Sequence, residues 1–159
     1  TVCSWKWSDE IIPLILVSLW SIMTFDVRPL ELDDYNTYLV KWWKDWGWKA
    51  PTRDFLPDNG KGGMMILDED GTPICAGFVY MTNSKVAWVD WIVSNKEYRK
   101  KPHRTNAIGL LIETLTNLCK NLDAKYCYAL IKHKALQDIY EKLGYQKADS
   151  YTQEMIKIL

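Results

Sequence analysis

The sequence predicts a single mixed α/β (α+β) domain, a mostly antiparallel sheet of six to seven strands flanked by helices. Three observations predict it. Strand-like apolar runs follow one another at residues 64–67, 74–81 and 86–93, joined by the turn segments Asp68-Glu69-Asp70-Gly71 and Thr82-Asn83-Ser84-Lys85, which is the pattern of an antiparallel meander. Helical stripes then alternate with further strand-like runs, as in a sheet covered by helices. The chain has 159 residues, 48% of them apolar, which is enough for one core.

Taken in order, residues 1–22 match no element of this domain and are read as an extension before a domain of residues 23–159. The apolar run 11–25 is broken by Pro13 and two serines and is short against the roughly 20 residues of a membrane span. Asp9 and Glu10 stand where a signal peptide carries basic residues. Residues 24–28 alternate as a short strand. Asp33 or Asp34 can cap a helix striped with Tyr35, Tyr38, Leu39, Trp42 and Trp46. Trp42 and Trp46, four apart, are assigned to the core, which leaves Trp43 and Trp48 for the surface. Pro51, Pro57 and Asn59-Gly60 mark a loop. After the meander a basic loop, 94–106, leads into a helix with Ala107, Leu110, Leu111, Thr114, Leu115 and Leu118 on one face. Residues 125–131 read as a strand. Leu136, Ile139, Tyr140 and Leu143 read as a helix that Gly144 stops. Residues 145–148 and 153–158 read as the last two strands.

Composition excludes several classes. Twenty basic and twenty acidic residues balance, so no global field draws nucleic acid or an acidic membrane. Cys3, Cys75, Cys119 and Cys127 form no C-x-x-C and read as reduced core residues, consistent with the cytoplasm. His103 and His133 are the only histidines and neither has a cysteine or carboxylate cluster beside it, so no metal site is expected. No P-loop, Rossmann fingerprint or G-x-S-x-G is present.

The stretch from Trp88 to Leu110 carries the chemistry. An apolar strand is followed by a basic loop and then by a helix that opens with small residues. The first N–H groups of a helix lack internal partners, and its dipole adds positive charge there. Ala107 and Gly109 would let a phosphate approach the backbone. Arg99, Lys100, Lys101 and Arg104 would add charge-assisted bonds. Read without that chemistry, the same stretch is a solvated basic loop beside an ordinary helix.

This strand–loop–helix resembles the acyl-CoA motif of the GNAT N-acetyltransferases. Val93-Ser94-Asn95-Lys96-Glu97-Tyr98-Arg99 is similar to the family's strand end and x-Pro-Glu-Tyr-Arg, with one extra residue. Arg104-Thr105-Asn106-Ala107-Ile108-Gly109 is similar to its Arg/Gln-x-x-Gly-x-Gly/Ala, with Ala107 where glycine is usual. Further on, the segment from His133 to Tyr145 resembles Asn-x-x-Ala-x-x-Leu-Tyr-x-x-x-Gly-Phe, with His133 in the asparagine's place. The resemblance covers residues 23–159.

The resemblance implies direct attack of a primary amine, on a small molecule or a protein, upon the thioester of acetyl-CoA. It implies that a bulge at Ile92 and Val93 offers main-chain groups to the pantetheine arm. It also implies that Arg99, Lys100, Lys101, Arg104, Thr105, Asn106, Ala107 and Gly109 bind the pyrophosphate, with either arginine as the principal contact. His133 would meet the pantetheine, and Tyr140 would protonate the leaving thiolate. Asp90, between two tryptophans and placed by alternation on the face of Ile92, is the candidate base, since apolar surroundings raise a carboxyl pKa. Trp43 and Trp48 are candidates for the acceptor wall. The oligomeric state is open, with a homodimer among the options because dimers are common among similar proteins. Two other readings remain open. One is a catalytically silent domain that binds CoA or a protein partner. The other is a nucleic-acid module using Lys100, Lys101 and Arg104, which zero net charge disfavours.

Overall fold

The structure, a computed structural model, describes residues 25–100, 102–150 and 153–159. The expected extension 1–22 and the expected pyrophosphate contact Lys101 lie outside the described residues. Strand β1 is Phe25–Pro29. A π-helical turn, Tyr35–Leu39, runs directly into helix α1, Val40–Asp45. Two 3₁₀ turns, Arg53–Phe55 and Pro57–Gly60, lead to strand β2, Gly63–Asp68. Strands β3, Pro73–Met81, and β4, Val86–Ser94, complete the expected meander. Helix α2 is His103–Asn121, strand β5 is Tyr126–Tyr128 and helix α3 is Lys134–Lys142.

The sheet order is β1-β2-β3-β4-β5, with antiparallel pairing up to β4 and a parallel β4–β5 pair. The mixed, mostly antiparallel class is as predicted. The strand count is not: the described residues form five strands rather than six or seven. Residues 145–150 and 153–159 are irregular. Tyr145 packs edge-on to Tyr140, and its hydroxyl bonds Thr116 of α2 at 2.6 Å. Tyr145 is thereby held to α2 and α3.

The sheet separates two cores. On one side β-strand residues such as Ile66, Val79, Val89 and Ile92 meet Leu111, Leu115 and Leu118 of α2, together with Tyr140. Gly77 marks the closest approach, because a Cβ there would lie 2.4 Å from Ile92 Cδ1 and 2.9 Å from Leu115 Cδ1. On the other side Leu39, Trp42, Trp43 and Leu56 cover Met65, Phe78 and Val93. Asp34 does not cap its helix with its side chain. Its buried carboxylate instead takes two bonds from Arg28, at 2.7 and 2.9 Å, and one from the Glu31 N–H at 2.7 Å. Burial pushes this carboxyl up, but the Arg28 bonds and the Glu31 N–H bring it below the usual range. Arg28→Met strands the charge and is expected to cost about 2–3 kcal/mol, less than the roughly 3–5 of a fully buried pair. The urea midpoint at unchanged m-value measures it.

Candidate active site

The site is built on an irregularity in β4. Between the pairs Ala76↔Val93 and Phe78↔Asp90, two steps along β3 face three along β4, so β4 carries one extra residue, a β-bulge. Trp91 absorbs it with a φ of 56°, a left-handed value that bulky residues rarely adopt. The Trp91 N–H donates to Asp90 Oδ1 at 2.8 Å and holds that carboxylate against the bulge. The bulge adjoins Ile92 and Val93, the residues expected to offer main chain. It also breaks the alternation assumed in the sequence. Asp90 pairs with Phe78 on the α1 side, whereas Ile92 belongs to the α2 core. The two do not share a face.

The same region is where β4 and β5 part. Their register covers Val86–Trp88 against Tyr126–Tyr128 only, while β4 continues to Ser94. Strand β5 is thus shorter than the expected 125–131, its ladder ending at Trp88, just before the bulge. Past Trp88 the segment leading to His133 meets β4 through the Leu130 N–H, which bonds the Asp90 carboxylate, and no longer through a strand ladder.

Two titratable groups meet β4 from opposite sides at this point. Tyr140, on α3, is 2% exposed, and its hydroxyl donates to the Val89 carbonyl at 3.1 Å. Burial, with lesser contributions from Tyr145, Asp90 and the cysteines, holds its pKa well above the usual phenol value. Asp90, one residue on, faces the other side. Burial raises its pKa, N–H bonds from Trp91 and Leu130 oppose this, and Glu154 adds to it, leaving about 6. A neutral phenol and a carboxylate that ionises near neutrality therefore flank one main-chain step.

Beyond the basic loop that follows β4, α2 begins at His103, four residues earlier than expected. Pro102 occupies the position before it, with a φ of −90°, and its carbonyl accepts the Asn106 N–H at 3.1 Å. Arg104, Thr105 and Asn106 therefore lie in the first helical turn rather than in a loop. Ala107 and Gly109 fall in the second turn, buried, and do not line the helix mouth. Arg99 and Lys100 are exposed there, as is Thr105. Arg104 is turned inward, its Nη1 donating to the carbonyls of Lys96 and Tyr98 at 3.3 Å each. Tyr98 anchors the loop, its hydroxyl on buried Asp68 at 3.2 Å.

Aromatic side chains cover the α1 side. Trp46 donates its indole N–H to the Ser94 carbonyl at 2.8 Å and stacks on Trp48, which stacks on His133 at 5.4 Å. Trp48 is 37% exposed, as expected of a surface residue. Trp43 is not, being fully buried against Phe78 and Trp91. The π-helical turn before α1 rotates the stripe, so Trp43 joins Trp42 in the core and Trp46 is only half-buried. Sequence reasoning missed Phe55, Tyr80 and Trp91, which gather beside Asp90. Phe55 sits in a loop without periodicity, and Trp91 reaches this face only through the bulge. Among the described residues, no group of three His, Cys, Asp or Glu could hold a metal ion, and no helix is long and apolar enough to cross a membrane.

A largely antiparallel sheet whose bulged fourth strand parts from a parallel fifth, with a basic loop leading to a helix at its end, is the fold of the GNAT N-acetyltransferases, and this chain has that fold. No protein-family model matches the sequence, and no curated protein matches it. Solved structures do. Glucosamine-6-phosphate N-acetyltransferase from Arabidopsis thaliana superposes with a TM-score of 0.62 at 14% identity, covering 84% of this chain and 99% of that one. A probable acetyltransferase from meticillin-resistant Staphylococcus aureus gives 0.61 at 18% identity, covering 85% and 100%. N-acetylglutamate synthase from Neisseria gonorrhoeae, complexed with coenzyme A and L-arginine, gives 0.63 at 9% identity, covering 80% of this chain and 28% of that larger one.

Proposed function

We propose that the protein is an acetyl-CoA-dependent N-acetyltransferase acting on a primary amine by direct attack. The observation that carries this reading is the placement of Asp90 and Tyr140 on opposite sides of β4 at its bulge, where the pairing with β5 has ended. A thioester lying along β4 at the bulge has a base on the side from which an amine can come and an acid on the other.

Exposed Arg99, Lys100 and Thr105, with the first turn of α2, supply an anion site for the pyrophosphate. Lys101 and Arg104 complete the expected set, Arg104 also by fixing the loop. Main chain at Ile92 and Val93 and the side chain of His133 line the path between. Asp90 takes one proton from the acceptor's ammonium. The amine nitrogen then bonds to the thioester carbonyl carbon, the C–S bond breaks, and Tyr140 gives its proton to the departing sulfur. The second nitrogen proton restores the phenol, and Asp90 releases its own to solvent. One amide, one CoA thiol and one free proton result.

Calorimetric titration with acetyl-CoA tests the reading. Wild type is expected to bind with a micromolar Kd, and Arg99→Ala/Arg104→Ala to bind at least about tenfold more weakly, a loss of about 1.4 kcal/mol. Well-folded wild type that binds no acetyl-CoA would overturn it. Binding with no transfer to any amine would favour a silent CoA-binding domain.

A further inference from the structure

The surroundings of Asp90 bear on which amine is used. On the α1 side of the sheet, Asp90 pairs with Phe78, and Tyr80 with Trp88 forms the neighbouring pair on that face. Trp91 packs edge-on to Phe55, with centroids 5.8 Å apart and planes at 89°. The Phe55 carbonyl accepts the Tyr80 hydroxyl at 2.9 Å, and its ring is 45% exposed. Phe55, Tyr80 and Trp91 are thus tied together, with the Trp91 N–H on the Asp90 carboxylate and Tyr80 within reach of its charge. Among the described residues no salt bridge joins Asp90 to a cation. Arg53, two residues before Phe55, is engaged with the Leu32 carbonyl at 2.8 Å and the Tyr35 ring. The charged group acting on Asp90 is Glu154, another carboxylate.

We propose that the acceptor is an arylalkylamine, a primary ammonium on an aromatic body, with its charge against Asp90 and its body among Phe55, Tyr80 and Trp91. This rests on the acetyltransferase reading above. A half-buried carboxylate without a counter-ion favours a cationic ligand. Aromatic faces attract the same cation and bury an apolar body. An acceptor bearing a carboxylate or phosphate would bring like charge to Asp90 and Glu154. A polyamine or amino sugar has no apolar body to cover Phe55, so its binding would leave the ring exposed.

The test measures thiol release by the full chain from saturating acetyl-CoA. 2-Phenylethylamine and tryptamine are compared with spermidine, glucosamine and glutamate. The two arylalkylamines are expected to show kcat/KM at least about 100-fold above the others, the range that one well-matched pocket delivers. Phe55→Ala removes an exposed ring and keeps the carbonyl that Tyr80 uses. It is expected to raise KM for the arylalkylamines about 5–10-fold with the affinity for acetyl-CoA unchanged. Preference for spermidine, glucosamine or glutamate overturns the acceptor class and leaves acetyl transfer standing, and so does an unchanged KM in Phe55→Ala. Acetyl-CoA binding without transfer to any of the five amines overturns the acceptor class as well. If folded wild type binds no acetyl-CoA, both readings fall.

Discussion

Asp90→Asn is expected to lower kcat/KM by about 10²–10⁴, the span of general-base catalysis, and to make the folded protein more stable at the same time. The two effects share a cause. The base must be ionised, so wild-type kcat/KM should rise with pH through about 6, the value to which burial brings Asp90, and this limb should be absent in the variant. Burial holds Tyr80 and Tyr140, the phenols beside it, neutral through that window.

The stability sign follows from linkage. The folded pKa of Asp90 lies above its ordinary 3.8. Its contribution to the fold is therefore favourable below about pH 4 and is lost as pH rises through about 6. Asparagine carries no charge to desolvate. At pH 8 the variant should gain on the order of 1 kcal/mol over wild type, and at pH 4 the gain should vanish. Thermal melts at the two pH values and a pH–rate profile measure both effects. A variant that loses activity and stability together would show that Asp90 serves the fold and not the reaction.

Tyr140→Phe is expected to lower kcat by about 10²–10³, as loss of a positioned acid does. The ring and its packing on Tyr145 are kept. The hydroxyl bond to the Val89 carbonyl is lost, at about 1 kcal/mol of stability. A merely structural role is distinguished by the leaving group. With an acetyl donor whose thiol is more acidic than that of CoA, departure needs less protonation, and the gap between Tyr140→Phe and wild type should narrow. An equal loss with both donors would refute the acid role, because a packing defect does not sense the leaving thiol.

Much of the fold was legible because it rests on local patterns. The meander shows as alternation interrupted by short turns, and the faces of α2 and α3 show as helical stripes. The anion loop was legible as a motif, since its basic residues are close in sequence. The start of α2 was misplaced because Arg104-Thr105-Asn106 is polar throughout and has no stripe of its own, whereas Pro102 is the true boundary signal. Trp43 was misassigned because the π-helical turn shifts the phase of the stripe, and no residue there announces it. The last two strands were misread because apolar residues at 153–158 satisfy a strand pattern, yet the edge they would join runs for three residues only.

By itself, the sequence determined the antiparallel meander and the order of the helices that follow it, because these depend on side-chain periods that each segment carries alone. Tyr140 entered as a candidate acid only through the resemblance of its segment to the GNAT motif, and Asp90 as a candidate base from its apolar neighbours. Only the tertiary structure decided that Asp90 faces the aromatic side while Ile92 faces α2, that Phe55 and Trp91 stand beside it, and that β4 and β5 part at the bulge. The physical reason is that a bulge is a mismatch between two strands. One extra residue in β4 has meaning only against the register of β3, and its consequence, the reversal of every side chain beyond it, cannot be written in either strand separately.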